Sequence, residues 1–172
     1  MLSTNVRIRP LALLVTGLLL ACGGRAGGPR LDARWIGSDT GAFTGTAKVV
    51  WCGSIQRLEL IAVDDNDAGI GLTIFPAVEL RPGHYDAFDP GIDTVRRPGA
   101  AAAARFFTEQ AVKGFQSDSG SLDLERTGST FGARFGFRMR SLEGGDTVRL
   151  TGHVKDVVPG RCPGDTITAT VP

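Results

Sequence analysis

Apolar and polar residues alternate strictly over residues 131–139. The odd-numbered positions are Phe131, Ala133, Phe135, Phe137 and Met139, and arginines occupy positions 134 and 138 between them. In an extended strand successive side chains point to opposite faces, so this pattern predicts a strand with one buried face. The same alternation recurs in 43–51, 121–127 and 148–155.

Short segments of this kind cover most of the chain. They are predicted as nine strands at 43–51, 56–63, 70–74, 84–88, 105–108, 121–127, 131–139, 148–155 and 166–171, with Gly, Pro and Asp between them. Strands of this length, separated by turns, indicate an all-β fold. We expect an antiparallel β-sandwich or flattened barrel of about 8–9 strands.

Two hairpins allow a prediction of strand register. A two-residue turn at Gly128-Ser129 places Asp123 opposite Arg134 outside the sheet and Leu122 opposite Phe135 inside it. Both pairs are chemically favourable. In the next hairpin, Arg149 lies opposite either Arg140 or Arg138, depending on how many residues form the loop.

The five alanines at 100–104 leave helix and strand both open, because alanine favours helix while the following Arg105-Phe106-Phe107 favours strand. We prefer the strand.

The N-terminal stretch 7–22 has the pattern of an export signal. Arg7 and Arg9 precede an apolar run over 11–20, which is too short for a membrane-spanning helix of about 20 residues. The run ends in Leu19-Leu20-Ala21-Cys22, and it resembles a bacterial lipoprotein signal, in which the cysteine is lipidated before cleavage. The resemblance implies a signal peptide at 1–21, a lipidated flexible tether at 22–30 and a single domain at 31–172.

The same resemblance implies a location in the cell. A membrane would be the partner, through the lipid on Cys22. Gly23 and Gly24 follow that cysteine, and no aspartate stands there. In the family this pattern corresponds to the outer membrane rather than to retention in the inner membrane.

The composition argues against one class of partner. Removing residues 1–21 takes away two arginines, so 17 basic and 18 acidic side chains remain in 151 residues. A nucleic-acid-binding domain would need a basic excess, so we expect no nucleic-acid partner.

With Cys22 assigned to the lipid, Cys52 and Cys162 remain as a pair. In an oxidising compartment a disulfide between them is the expected outcome, and two unpaired buried thiols are the alternative. Neither cysteine has a second ligand at metal-binding spacing, so we expect no metal site there.

A basic face is predicted on the strands at 131–139 and 148–155. Its residues are Arg134, Arg138, Arg140, Arg149, His153 and Lys155. Such a face could bind an anion such as a lipid phosphate or the carboxylate of an envelope polymer. The alternative is a solvated sheet surface, partly neutralised by Asp123 and Glu125.

Two motifs point only weakly to chemistry. Asp39-Thr40-Gly41-Ala42 resembles the catalytic turn of retroviral-type aspartic proteases, but Gly37 and Ser38 stand where that family has apolar residues. Residues 64–69 resemble part of a calcium loop without its bidentate glutamate. Both are better explained as turns. The two histidines suggest no triad, so we expect no enzyme, no metal and no cofactor.

The segments Leu80-x-Pro-Gly-x-Tyr85, Val112-Lys-Gly-Phe115 and Gly120-Ser-Leu-Asp-Leu124, together with Gly152, resemble those of a group of bacterial lipoproteins with a small β-sandwich domain. The resemblance implies a fold and an address, not an activity. We expect a non-enzymatic envelope lipoprotein that is structural or binds another envelope protein. A module that binds a ligand through the basic face or the sheet's concave side is the alternative, and a hydrolase is a remote one.

Overall fold

The computed structural model describes residues 28–107 and 111–163. It contains ten strands: β1 (Arg30–Gly37), β2 (Gly41–Cys52), β3 (Arg57–Val63), β4 (Gly69–Phe75), β5 (Gly83–Asp86), β6 (Gly99–Phe107), β7 (Val112–Thr127), β8 (Thr130–Ser141), β9 (Thr147–Val157) and β10 (Gly160–Arg161). A single turn of 3-10 helix, Gly53–Ile55, joins β2 to β3. None of the helical structure in these residues is long and apolar enough to span a membrane.

Eight strands close into an antiparallel barrel. The order is β1-β9-β8-β7-β6-β4-β3-β2, and β1 also pairs with β2, which closes the sheet. Two strands lie outside this ring: β5 pairs with β7, and β10 runs parallel to β2. The all-β antiparallel prediction is confirmed, and of the two expected arrangements the structure adopts the barrel.

The register predicted for the β7–β8 hairpin is confirmed, and of the two registers left open for the β8–β9 hairpin the structure adopts one. Asp123 lies opposite Arg134, and Leu122 lies opposite Phe135. In the β8–β9 hairpin Arg149 lies opposite Arg138, the register with the longer loop. The loop is longer because the backbone N–H of Ser141 donates to the carbonyl of Asp146, which closes the ladder there.

Residues 100–104 form part of β6, as the preferred interpretation predicted. Small side chains are needed here because the segment that follows β5 crosses closely over the strand. The N–H of Phe88 donates to the carbonyl of Ala100, and the buried hydroxyl of Ser117 bridges the N–H of Ala102 and the carbonyl of Phe88. Tertiary contacts therefore override the helical preference of alanine.

The barrel interior is filled by side chains from opposite walls. The rings of Trp35 on β1 and Phe106 on β6 stack at a centroid distance of 3.7 Å. A void between Leu58, Leu72 and Leu122 measures only about 10 Å³, room for at most one water. The concave side of the sheet is thus the packed core, so a ligand must bind outside it.

Strands β1 and β10 and the first half of β7 were not predicted as strands. The predicted strand at 166–171 lies outside the described residues. In β1 the alternation of Leu31, Ala33 and Trp35 is the signal that could have revealed the strand, and all three side chains are buried.

The disulfide lies at the end of β2 that does not pair with β1. The N–H of Ala47 on β2 donates to the carbonyl of Pro29, just before β1 begins. Farther along β2, β10 takes the place of β1, and the N–H of Cys162 donates to the carbonyl of Trp51. Cys52 and Cys162 form a disulfide with a Cα–Cα distance of 4.7 Å, as the cysteine count predicted.

Candidate functional site

A broad groove lies on the outer surface of the barrel, where β8, β9 and β1 run side by side. We call it the outer groove. It encloses about 1020 Å³ and is open to solvent. Its polar lining includes Asp32, Arg34, Glu125, Arg134, Thr151, His153 and Lys155. Gly132 contributes no side chain to the outer face of β8, which lowers the floor of the groove.

Strand register places a row of polar side chains across the barrel and through this groove. From β5 to β2 the row consists of His84, Asp123, Arg134, His153, Asp32 and Thr44. Each residue is the direct cross-strand partner of the next, so their side chains are neighbours on one face. Both histidines of the chain belong to this row.

The carboxylates of Asp123 and Asp32 contact neighbouring side chains of the row. Nδ1 of His84 lies 2.7 Å from Oδ1 of Asp123. On the other side of the row, the hydroxyl of Thr44 donates to Oδ1 of Asp32 at 2.7 Å, and Nε2 of His153 lies 3.7 Å from Oδ2 of the same carboxylate. Asp123 therefore lies between His84 and Arg134, and Asp32 lies between His153 and Thr44.

These contacts fix the charged forms of two groups in the groove. The hydrogen bond from Thr44 holds the pKa of Asp32 below its ordinary value, with Arg30 assisting. The ion pair with Glu125 raises the pKa of Arg134. Neither group exchanges a proton near neutral pH, whereas acid–base catalysis needs a pKa close to the working pH.

The predicted basic face is present on the outside of β8 and β9, but three of its arginines carry acidic partners. Arg134 pairs with Glu125, and Arg138 lies 3.6 Å from Asp118. Arg140 is turned away from the groove towards Asp89, at 2.7 Å.

Three cations on this surface have no acidic partner among the described residues. Arg149 and Lys155 lie on β9, and Arg34 on β1 projects from the same outer face. Lys155 and Arg34 line the outer groove. The surface is therefore mostly ion-paired, and its free positive charge is concentrated at these positions.

The weaker motifs of the sequence form turns. The carboxylate of Asp39 accepts a hydrogen bond from the N–H of Thr40 in the β1–β2 turn. The carboxylate of Asp64 accepts from the N–H groups of Asn66 and Ala68, which occupies one of its oxygens within the turn. In residues 28–107 and 111–163, no three His, Cys, Asp or Glu side chains are placed to hold a metal ion.

Sequence reasoning missed Asp32, Arg34 and Asp89. The alternation in β1 places Asp32 and Arg34 on the polar face, but only the closed barrel brings that face beside β9. Asp89 lies in a loop without periodicity, and no local signal indicates its role. Cys22, the predicted lipidation site, lies outside the described residues.

Comparisons of this chain with protein-family models, with curated proteins and with solved structures find no match.

Proposed function

We propose that this protein is a lipid-anchored protein of the cell envelope whose barrel has a non-catalytic role, as a structural or protein-binding module. The observation that carries the proposal is the combination of a packed interior with a largely ion-paired outer surface. Because its interior is packed, such a barrel can bind a partner only through its outer surface. The disulfide Cys52–Cys162 fits an oxidising compartment.

The proposed anchor is the lipid on Cys22, and the proposed address is the outer membrane. The support is the sequence over 7–22 and the absence of aspartate at Gly23 and Gly24. The expected tether at 22–30 ends earlier, because Pro29 is hydrogen-bonded to β2 and β1 begins at Arg30, and in this arrangement the residues before Pro29 hold the barrel at the membrane surface.

The anchor is tested by fractionating cells that express the full chain. We expect the wild type in the membrane fraction and the Cys22→Ser variant in the soluble fraction with its barrel folded. Gly24→Ala, which keeps the cysteine, is the matched control and should remain bound. Membrane retention of Cys22→Ser would contradict the proposal. A Gly23→Asp variant tests the address, because it should move the protein to the inner membrane.

The protein-binding role is tested with a photo-crosslinking amino acid placed at Thr151 in the outer groove. The same amino acid at Thr73, on the outer face of β4, is the control. A partner that crosslinks reproducibly from Thr151 and not from Thr73 supports binding through the groove. Equal recovery of the same proteins from both positions counts against it.

A second candidate function is the binding of an anionic ligand in the outer groove. The observation that favours it is the pair of exposed cations, Arg34 and Lys155, that line the groove without acidic partners among the described residues. Binding would weaken as salt rises, because these charges are exposed. The double variant Arg34→Ala/Lys155→Ala should lose affinity for vesicles with anionic headgroups, measured on the Cys22→Ser background. Lys48→Ala, another exposed cation on β2, is the control.

A further inference from the structure

Both ends of the barrel carry exposed hydrophobic side chains: Ile36, Val63 and Leu142 are among those at the end of the β8–β9 hairpin, and those at the opposite end come from three separate segments. At this second end they are Ile55 after β2, Val78 between β4 and β5, and Val95 between β5 and β6, with exposed fractions of 46%, 73% and 53%. Each group is a candidate interaction surface, and charge and chain direction distinguish the two ends.

A single guanidinium joins the three segments. Arg97 donates to the carbonyls of Ile55 at 2.8 Å, Gln56 at 2.9 Å and Pro76 at 3.2 Å. Val78 and Val95 each lie two residues from this junction along the chain. We call the group of Ile55, Val78, Val95 and Arg97 the Arg97 rim.

The rim carries positive charge that no carboxylate neutralises within the described residues. Arg97 contacts carbonyls and lies over the ring of Phe75 at 5.7 Å. Arg161 on β10 pairs with Trp51, one residue before the disulfide, and it has no ion pair among the described residues.

Nearby acidic side chains are already paired with other arginines. Glu79 lies 2.9 Å from Arg81, and Asp93 lies 3.6 Å from Arg96. The combination of aliphatic side chains and unpaired guanidinium groups matches the chemistry of an anionic membrane surface.

The N-terminal chain reaches the barrel on the side of this rim. Pro29 lies beside Ala47 on β2, and β1 runs antiparallel to β2, so lower residue numbers lead towards Cys52 and the rim. From Ala47 to Cys52 is about 17 Å along an extended strand. Cys22 is seven residues before Pro29 in the sequence, and a chain of that length spans at most about 25 Å. A lipid on Cys22 is therefore within reach of the rim.

We propose that the Arg97 rim is the membrane-contacting surface of the barrel, with Ile55, Val78 and Val95 in the headgroup region and Arg97 and Arg161 beside anionic lipid phosphates. The inference rests on the proposed lipid anchor. It fixes the orientation of the barrel: the β8–β9 hairpin with Leu142 points away from the membrane, and the outer groove remains open at the side.

The test uses the full lipidated chain in vesicles of zwitterionic and anionic phospholipid. Tryptophan is introduced at the rim by Val78→Trp and at the opposite end by Leu142→Trp, where the native side chain is 63% exposed. Bromine-labelled lipids quench tryptophan that touches the bilayer. Trp35 and Trp51 are buried and give the same background in both variants.

We expect quenching for Val78→Trp several times greater than for Leu142→Trp. Equal quenching of the two variants, or greater quenching of Leu142→Trp, overturns the rim while the anchor stands. A wild-type chain that mass spectrometry finds without lipid overturns the anchor and the rim with it.

The charge dependence provides a second test on the same vesicles. Arg161→Glu should reduce the quenching of Val78→Trp on anionic vesicles, and Lys48→Glu on the side of β2 should leave it unchanged. Equal effects of the two substitutions would overturn the role of Arg161 at the membrane surface.

Discussion

Arg140 donates two hydrogen bonds to the carboxylate of Asp89, from Nε to Oδ2 at 2.7 Å and from a terminal nitrogen to Oδ1 at 3.0 Å. Asp89 is only 6% exposed, and Gln116 and the N–H of Gly91 also donate to it. The pair fastens the loop after β5 to β7 and β8. The loop fills the part of the barrel wall in which β6 and β7 do not pair with each other.

Removing the carboxylate should destabilise the barrel. Asp89→Ala leaves the guanidinium, an amide and a backbone N–H without their acceptor, and we expect a loss of about 2 kcal/mol in the free energy of unfolding. Urea denaturation measures it. Glu125→Ala, which removes the exposed partner of Arg134, is the control and should change little because solvent screens that pair. Equal losses in the two variants would contradict the structural role of Asp89.

The same contact predicts how stability depends on acid. The hydrogen bonds from Arg140 hold the pKa of Asp89 below its ordinary 3.8 in the folded protein. The stabilisation is therefore present above the ordinary pKa and is lost as the pH falls through the lowered one. Thermal unfolding of wild type and Asp89→Ala should differ at neutral pH and converge in strong acid. A constant difference across this range would argue against the linkage.

Breaking the disulfide should release the end of the barrel that β10 closes. Cys52 and Cys162 are 110 residues apart, and in the chain-entropy model a crosslink of that span contributes about 4–5 kcal/mol. We expect Cys52→Ser/Cys162→Ser to lose stability of this order in urea denaturation, while Cys22→Ser leaves the stability of the barrel unchanged. Non-reducing electrophoresis should show a faster-migrating oxidised monomer for the wild type alone.

Two glycines on neighbouring strands should respond differently to alanine. A Cβ at Gly152 would lie 2.6 Å from the ring of Phe135 and 2.9 Å from the Cβ of Ala33, inside the barrel. At Gly136 the nearest atom would be 3.9 Å away, on Thr151 at the outer surface. We expect Gly152→Ala to lose about 1–3 kcal/mol through overpacking.

Gly136→Ala is the matched control and should change stability by no more than about 0.5 kcal/mol. Calorimetry of the two variants provides the comparison. Similar unfolding temperatures would mean that the interior at Gly152 can expand.

The polar row predicts a titration shift at His84. The hydrogen bond with Asp123 raises the pKa of His84 above its ordinary 6.5, with a smaller contribution from Asp86. NMR titration should show that Asp123→Asn lowers this pKa more than Asp86→Asn does, and His84→Gln identifies the resonance. The contact stabilises the folded protein below pH 6.5, and this stabilisation is lost as the pH rises through the raised pKa of His84. A greater effect of Asp86→Asn would contradict the geometry.

Some of this architecture could be predicted because it is encoded locally. The alternation at 131–139 fixes which side chains face the core, and Gly128-Ser129 fixes the register of Asp123 with Arg134. Residue 100 and its neighbours were ambiguous because alanine has a helical preference that only packing overrides. The strand β10 was not predicted because it has only two residues and its partner β2 is distant in the chain. The strand β1 could have been predicted from the alternation of Leu31, Ala33 and Trp35.

The basic face shows the limit of periodicity. Arg134 and Arg140 both occupy outward-facing positions in the alternation of β8. Arg134 lines the outer groove, whereas Arg140 forms an ion pair with Asp89, some 50 residues away in the chain. A local pattern specifies which face of a strand a side chain occupies, but it does not specify which distant loop contacts that side chain. The outer groove likewise exists only because β1 lies beside β9.

The all-β class and the register of the β7–β8 hairpin are properties of the chain itself, because period-two alternation and turn residues encode them locally, and the cysteine count favoured the Cys52–Cys162 pair. The sequence is also the sole source of the proposed anchor at Cys22. Only the tertiary structure decided that the sheet closes on itself, that Asp32 meets His153, and that Arg97 gathers Ile55, Val78 and Val95 at one end. The physical reason is that these contacts join segments whose encounter no local periodicity encodes.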